Sequence, residues 1–139
     1  MSIIDSNVVV RAYLASGAGA TAALVALVGT RIYCPRLPEN ATLPAVGFFT
    51  RGGVSTPYIP DIVTPSKQFD CWGSSPIIAR QVYGALYDAL QGIQNVKVTI
   101  LGVDYYIASA REEVQGQDLV DVEIPNYFRV LTFFEIMIK

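Results

Sequence analysis

Apolar side chains along this chain recur at two spacings, and the switches between them mark out the elements. Val8, Val9, Ala12, Tyr13 and Ala15 fall at the intervals of one helix face; Asp5 or Ser6 can cap the start, and Gly17 and Gly19 can end it. Residues 22–28 predict a second, shorter helix, capped by Thr21 and stopped by Gly29. Its apolar positions run nearly all round, which predicts burial. The clearest helical signal follows Ser75, with Pro76 at the first helical position. Ile78, Val82, Leu86 and Leu90 form an i, i+4 stripe widened by Ala79, Tyr83, Ala85 and Ala89, and Gly92 is the stop. Between and beyond these helices the period drops to two. Residues 45–50 read as a strand. Residues 67–72 alternate, with Phe69 and Cys71 on one side and Gln68 and Asp70 on the other. Residues 96–101 and 105–110 form a hairpin about Gly102-Val103-Asp104, and residues 127–138 make a long last strand.

This order predicts one α+β domain over residues 1–139: a single, mostly antiparallel β-sheet of about four or five strands with helices packed on one face. Two stretches read as loops. Residues 111–126 are acidic and contain Gly116 and Pro125. Residues 51–66 carry Pro57, Pro60, Pro65, Gly52 and Gly53, which rule out helix and disfavour a central strand. That second stretch also carries Val54, Tyr58, Ile59, Ile62 and Val63, an apolar load that fits a loop docking on a partner or folding back on its own core. The last strand is apolar on both faces. Phe128, Val130, Phe134, Ile136 and Ile138 lie on one side and Leu131, Phe133 and Met137 on the other, so the sheet is expected to meet helices on one face and another subunit on the other. The candidate interface is therefore Val54, Tyr58, Ile59, Ile62, Val63, Leu131, Phe133 and Met137.

Composition strengthens this expectation. Charged residues are 16% of the chain, against roughly 25% in ordinary soluble domains, and mean hydropathy is +0.39. Sparse charge on a chain of 139 residues points to surface buried against other chains. A membrane span is not expected, because the longest apolar stretch, residues 18–29, falls short of the roughly 20 residues a bilayer needs. The first residues lack the basic start and unbroken apolar run of a signal peptide, so the chain is expected to remain in the cytoplasm where it is made. The ten basic residues are scattered and the net charge is −2, which supplies no patch for gripping nucleic acid.

The residues for catalysis are sparse too. Without histidine no Ser–His–Asp or Cys–His relay can be built. Cys34 and Cys71 are far apart and read as apolar fillers, and no zinc ligand set exists. Glu112, Glu113, Asp118, Asp121 and Glu123 match no calcium-loop spacing and read as a solvated acidic segment. No phosphate loop is present. The expectation is a protein with no enzyme activity, no cofactor and no metal.

Several ordered motifs carry a resemblance. Leu27-Val28-Gly29-Thr30-Arg31-Ile32-Tyr33 follows the N-terminal helices, and Leu43-Pro44-Ala45-Val46 opens the first main strand. Phe69-Asp70-Cys71-Trp72 leads straight into the capped helix, and Pro125-Asn126-Tyr127-Phe128-Arg129-Val130-Leu131 opens the last strand. In this order the chain resembles the tail terminator, or tail completion, proteins of long-tailed bacteriophages of the lambda type. Phe128 stands where that family often has histidine, and residues 51–66 match no family pattern. The resemblance implies a homo-oligomer, usually a hexameric ring, on the head-proximal end of the tail tube. Such a ring ends tube polymerisation and presents the head-tail joining surface. The implied partners are the tail tube protein and a head-completion or connector protein, with double-stranded DNA passing through the lumen without specific binding. The implied location is the virion neck, after assembly in the host cytoplasm. Two other readings stand beside it: another neck or head-closure protein, and, in a different class, a small ligand-binding domain or enzyme.

Overall fold

Local chemistry sets the helices. The Asp5 carboxylate accepts from the backbone N–H groups of Asn7 (3.1 Å) and Val8 (3.5 Å), opening α1, Ser6–Leu14. A 3₁₀ turn, Gly19–Thr21, leads into α2, Ala22–Val28, which ends at Gly29 in a positive-φ conformation. Ser75 Oγ accepts from the Ile78 N–H at 3.2 Å, and Pro76 begins α3, Pro76–Leu90. The computed structural model describes residues 4–17, 19–55, 62–120 and 127–139. Among the described residues no single helix is long and apolar enough to cross a bilayer.

Six strands form one sheet: β1, Ile32–Tyr33; β2, Ala45–Ser55; β3, Val63–Gly73; β4, Gln94–Ile100; β5, Val103–Val120; and β6, Phe128–Ile138. Their spatial order is β1-β2-β3-β6-β5-β4, with a parallel β1–β2 pair and antiparallel neighbours elsewhere. The inward side chains of β2, β3 and β6 meet in an aromatic centre. Phe48 stacks on Phe69 at 5.5 Å between ring centroids, and Phe134 meets Phe69 edge-on at 5.7 Å. Val9, Val10 and Leu14 of α1, Leu24 and Val28 of α2, and Val82, Leu86 and Leu90 of α3 complete this core.

The expected sheet of four or five strands with helices packed on one face is wrong in its architecture. The molecule is mostly sheet and broadly α+β, and its six strands curl into a half-barrel with three helices. The helices do not form a layer. α3 packs on β3, β5 and β6, α2 rests on α3, and α1 touches both β1 and β4, the two edges of the sheet. In a flat six-stranded sheet those edges would stand about 24 Å apart, far wider than a helix of roughly 10 Å. One nine-residue helix reaches both because the sheet bends round it. Register shifts supply the bend, one in β2 between Thr50 and Gly53 and three in β5 between Ile107 and Gln117.

Both stretches read as loops contribute strand. Residues 51–55 extend β2, residues 63–66 begin β3, and residues 111–120 extend β5. Pro65 is accommodated because it faces Gly53 at the β2 bulge. Gly53 has φ +137°, and a Cβ there would lie 2.4 Å from the Thr64 carbonyl oxygen, so no other residue fits without moving β3. The β4–β5 turn is shorter than expected, with Leu101 and Gly102 alone at positive φ. α2 is less buried than expected: Leu24 and Val28 face the core, while Ala22, Ala23 and Ala26 are exposed.

Candidate functional site

Alternation along β6 builds the outer face of the half-barrel. Val130, Thr132, Phe134, Ile136 and Ile138 point inward and are buried. Leu131, Phe133 and Met137 point outward and are half-buried. Phe133 lies opposite Gln68 of β3 and Val114 of β5, and Leu131 opposite Asp70 and Gln117. Phe49 of β2, also opposite Gln68, widens this apolar strip. The Arg51 guanidinium lies 3.9 Å over the Phe133 ring. Arg51 also donates to Ser66 Oγ at 2.8 Å, and Ser66 in turn donates to Glu113 at 2.6 Å. Three of the expected interface residues, Leu131, Phe133 and Met137, therefore share one outer face. Ile62 is half-buried, and Val63 pairs with Ser55 and Ile138 and packs partly against the core. Val54 pairs through its backbone with Thr64. The Val54 side chain, Tyr58 and Ile59 lie outside the described residues.

At the start of β6 this face opens into a groove of about 420 Å³, walled by residues 36–40 and floored by Asp70, Trp72, Tyr127 and Arg129. The Arg129 guanidinium lies 5.3 Å over the Trp72 ring and its Nη1 is 3.5 Å from Asp70 Oδ1. Tyr127 meets Trp72 at a steep tilt with centroids 6.1 Å apart. Burial raises the Asp70 carboxyl above its ordinary value, against the opposing pull of Arg129 and a hydrogen bond with Gln68. Two buried atoms on this floor, Asp70 Oδ1 and Trp72 Nε1, make no hydrogen bond. Arg129 approaches Asp70 as a charge without hydrogen-bonding geometry to Oδ1.

Inside the half-barrel, sequence reasoning missed Lys67. It has the inward parity of Phe69 and Cys71 and is fully buried, with 0% exposure. Its ammonium donates to Ser6 Oγ at 2.7 Å, Asn7 Oδ1 at 2.6 Å and Thr50 Oγ1. The Thr50 hydroxyl in turn donates a hydrogen bond to Asn7 Oδ1 at 2.8 Å. The three donors of the amine are thus used on neutral oxygens, tying the start of α1 to β2 and β3. Burial lowers the Lys67 pKa to about 8, opposed by Cys34 and Asp5. The signal was the alternation itself, which placed position 67 inward whatever residue stood there.

The acidic segment is also structured in part. Glu112 Oε2 accepts from Tyr83 Oη at 2.7 Å and from Thr132 Oγ1 at 2.8 Å, and Gly116 N–H donates to Tyr83 Oη at 3.2 Å. Burial, then the bond to Glu112, raises the Tyr83 phenol. Asp118 pairs with Arg80 at 2.8 Å on the surface, and Asp121 and Glu123 lie outside the described residues. Among the described residues no group of three or more histidine, cysteine or acidic side chains could hold a metal ion. Cys71 is buried and Cys34 half-buried; both are free thiols, and burial raises both.

Compared with models of known protein families and with curated proteins, the chain matches none.

Proposed function

We propose that this chain is a structural subunit that assembles with copies of itself into a ring and caps a protein tube, as its resemblance to tail terminator proteins implies. The observation that supports this most is the outer face of β6. Leu131, Phe133 and Met137 repeat at strand spacing on the side of the sheet away from the core, flanked by Phe49 and Val114. A sheet apolar on both sides in a chain with 16% charged residues fits a surface that other subunits cover. A contact between two different patches of the same chain closes into a ring when the rotation between neighbours divides the circle. The role is mechanical. The ring ends tube growth and offers its other side to the head connector, and DNA passes through a lumen that does not grip it. The segment of residues 54–63 contributes to subunit or tube contacts.

The test is the solution mass by light scattering, with negative-stain images of the same sample, followed by addition to purified tail tubes. Rings of about six subunits that stop tube elongation are expected. A protein that stays monomeric and leaves tube growth unchanged would sink the proposal. Replacing Tyr58 and Ile59 with Asp should abolish assembly and leave the circular dichroism spectrum intact, and unaltered assembly would remove that segment from the contact.

A further inference from the structure

The hairpin of β4 and β5 keeps its alternation past the point where the core stops covering it. Cross-strand partners share a face, so Val96 and Ile107, Val98 and Tyr105, and Ile100 and Val103 all look inward. Val98 and Ile107 are buried, Ile100 and Tyr105 are half-buried, and Val103 is 51% exposed. The opposite face carries Lys97, Thr99 and Asp104, joined by the Lys97–Asp104 ion pair (3.4 Å) and the bond from Thr99 Oγ1 to Asp104 (2.7 Å). The last strand reaches β5 only as far as Tyr106 and Ile107, so among the described residues β4 is the one strand partner of 103–105. The tip is thus a two-stranded finger, apolar on one side and polar on the other. Leu101 stands at its end, fully exposed. Leu101 and Gly102 have φ +50° and +81°, a type I′ turn, whose first central position favours asparagine, aspartate or glycine. Leucine there works against both the backbone and the solvent, which points to a contact made outside the monomer.

The same chain offers a seat. Ile77, in the first turn of α3, is 71% exposed, and with Pro76, Arg80 and Gln81 it lines a shallow, almost wholly apolar recess of about 440 Å³. Arg80 pairs with Asp118 at 2.8 Å, so the recess lies towards the far end of β5, separated from the tip by about 50 Å of strand. A second copy placed head to tail brings finger and recess together. Asp104 travels with the finger and Arg80 flanks the seat. Each already has a partner in its own copy, so the contact brings opposite charges near one another and leaves none unpaired. We propose that the β4–β5 finger of one copy docks on the α3 recess of the next, with Leu101 and Val103 covering Ile77 and Pro76. The two patches differ, as a contact that closes a ring requires. This rests on the assembly reading above and specifies one of its contacts.

Two substitutions separate this contact from the fold. Leu101→Asn gives the turn a residue it prefers, and Ile77→Asp puts a carboxylate in the first turn of α3, where the helix N-terminus favours it. Both should keep or raise the monomer's melting temperature. In a concentration series followed by light scattering, each should weaken assembly about tenfold to a hundredfold, the worth of burying one large aliphatic side chain. A cross-link then tests the pairing. In a Cys34→Ser background, copies carrying Leu101→Cys are mixed with copies carrying Ile77→Cys and mildly oxidised. Mass spectrometry should find a 101–77 disulfide that neither protein forms alone, because the bond needs Cα atoms within about 7 Å. Leu101→Cys copies that cross-link to one another just as readily would overturn the α3 seat. Assembly unchanged in Leu101→Asn and Ile77→Asp, yet lost in Leu131→Asp with Phe133→Asp, would overturn the finger contact and leave the ring reading standing. A natural protein of constant monomeric mass at every concentration would overturn the second-copy occupant and self-assembly together.

Discussion

Replacing Lys67 with methionine should remove a gain in stability that the natural protein shows between about pH 8 and pH 10. The amine is fully buried, its partners among the described residues are neutral oxygens, and burial brings its pKa from 10.5 to about 8. The folded state therefore releases this proton at lower pH than the unfolded chain does. Below about pH 8 both states are protonated and the folded state bears the full cost of a buried charge. Between about pH 8 and 10.5 the unfolded chain binds more protons, so stability rises with pH. At about 1.36 kcal/mol per pH unit the whole window is worth on the order of 3 kcal/mol, with about 1.4 kcal/mol recovered by pH 9. The assay is urea unfolding of the natural protein and Lys67→Met at matched ionic strength from about pH 7 to 10. The quantity of interest is the difference between the two curves, which cancels the titration of groups common to both. Both proteins should carry Cys34→Ser, because that thiol and the amine influence one another. A difference that stays flat or falls over this range would refute the reasoning and mean that the three oxygens hold the ammonium as well as water does.

Three further outcomes follow from the packing. Gly116→Ala places a Cβ 2.7 Å from Val130 Cγ1 and 2.8 Å from the Tyr83 ring; overpacking of this kind costs about 1–3 kcal/mol, read as a lower thermal midpoint. Phe134→Ala, at the meeting point of the aromatic centre, should cost about 3–5 kcal/mol in denaturant unfolding; a value below about 1 kcal/mol would show that the ring is not packed as described. Leu131→Asp with Phe133→Asp lies on the outer face, so circular dichroism and the melting temperature should be kept while the mass by light scattering falls to that of a monomer.

Much of the element list was legible because caps and alternation are local signals. Asp5, Ser75 and Pro76 announce helix starts by side-chain chemistry that acts within three residues. The inward and outward parity of β3 and β6 was also readable, and with it the outer position of Leu131, Phe133 and Met137. Strand residues 111–120 were missed because two register shifts fall between Glu112 and Gln117 and erase the alternation that would betray a strand. Residues 63–66 were missed because Pro65 argues against a strand, and only the glycine across the bulge makes room for it. The all-round apolar pattern of α2 misled because much of it is alanine, which buries little area and tolerates water. The curl was illegible for a different reason: it depends on one helix meeting both sheet edges, and no window of sequence contains that relation. Asp70 and Trp72 were visible as residues, but that Asp70 Oδ1 and Trp72 Nε1 are buried without a hydrogen bond follows only from the folded packing around them.

The placement of α1 across the two edges has a consequence for synthesis. The Tyr13 hydroxyl donates to the carbonyl of Ala89, 76 residues further along, and the β4 edge that α1 also meets lies beyond that. At roughly 5–20 residues per second, a ribosome takes about 4–15 s to make the intervening chain. Throughout that interval Val9, Val10 and Leu14 have been translated but have no finished core to enter. α1 is thus translated well before the elements that seat it. An early slip in the strands leaves it unhoused, and a chaperone that binds short apolar helices can meet α1 before β4 exists to cover it.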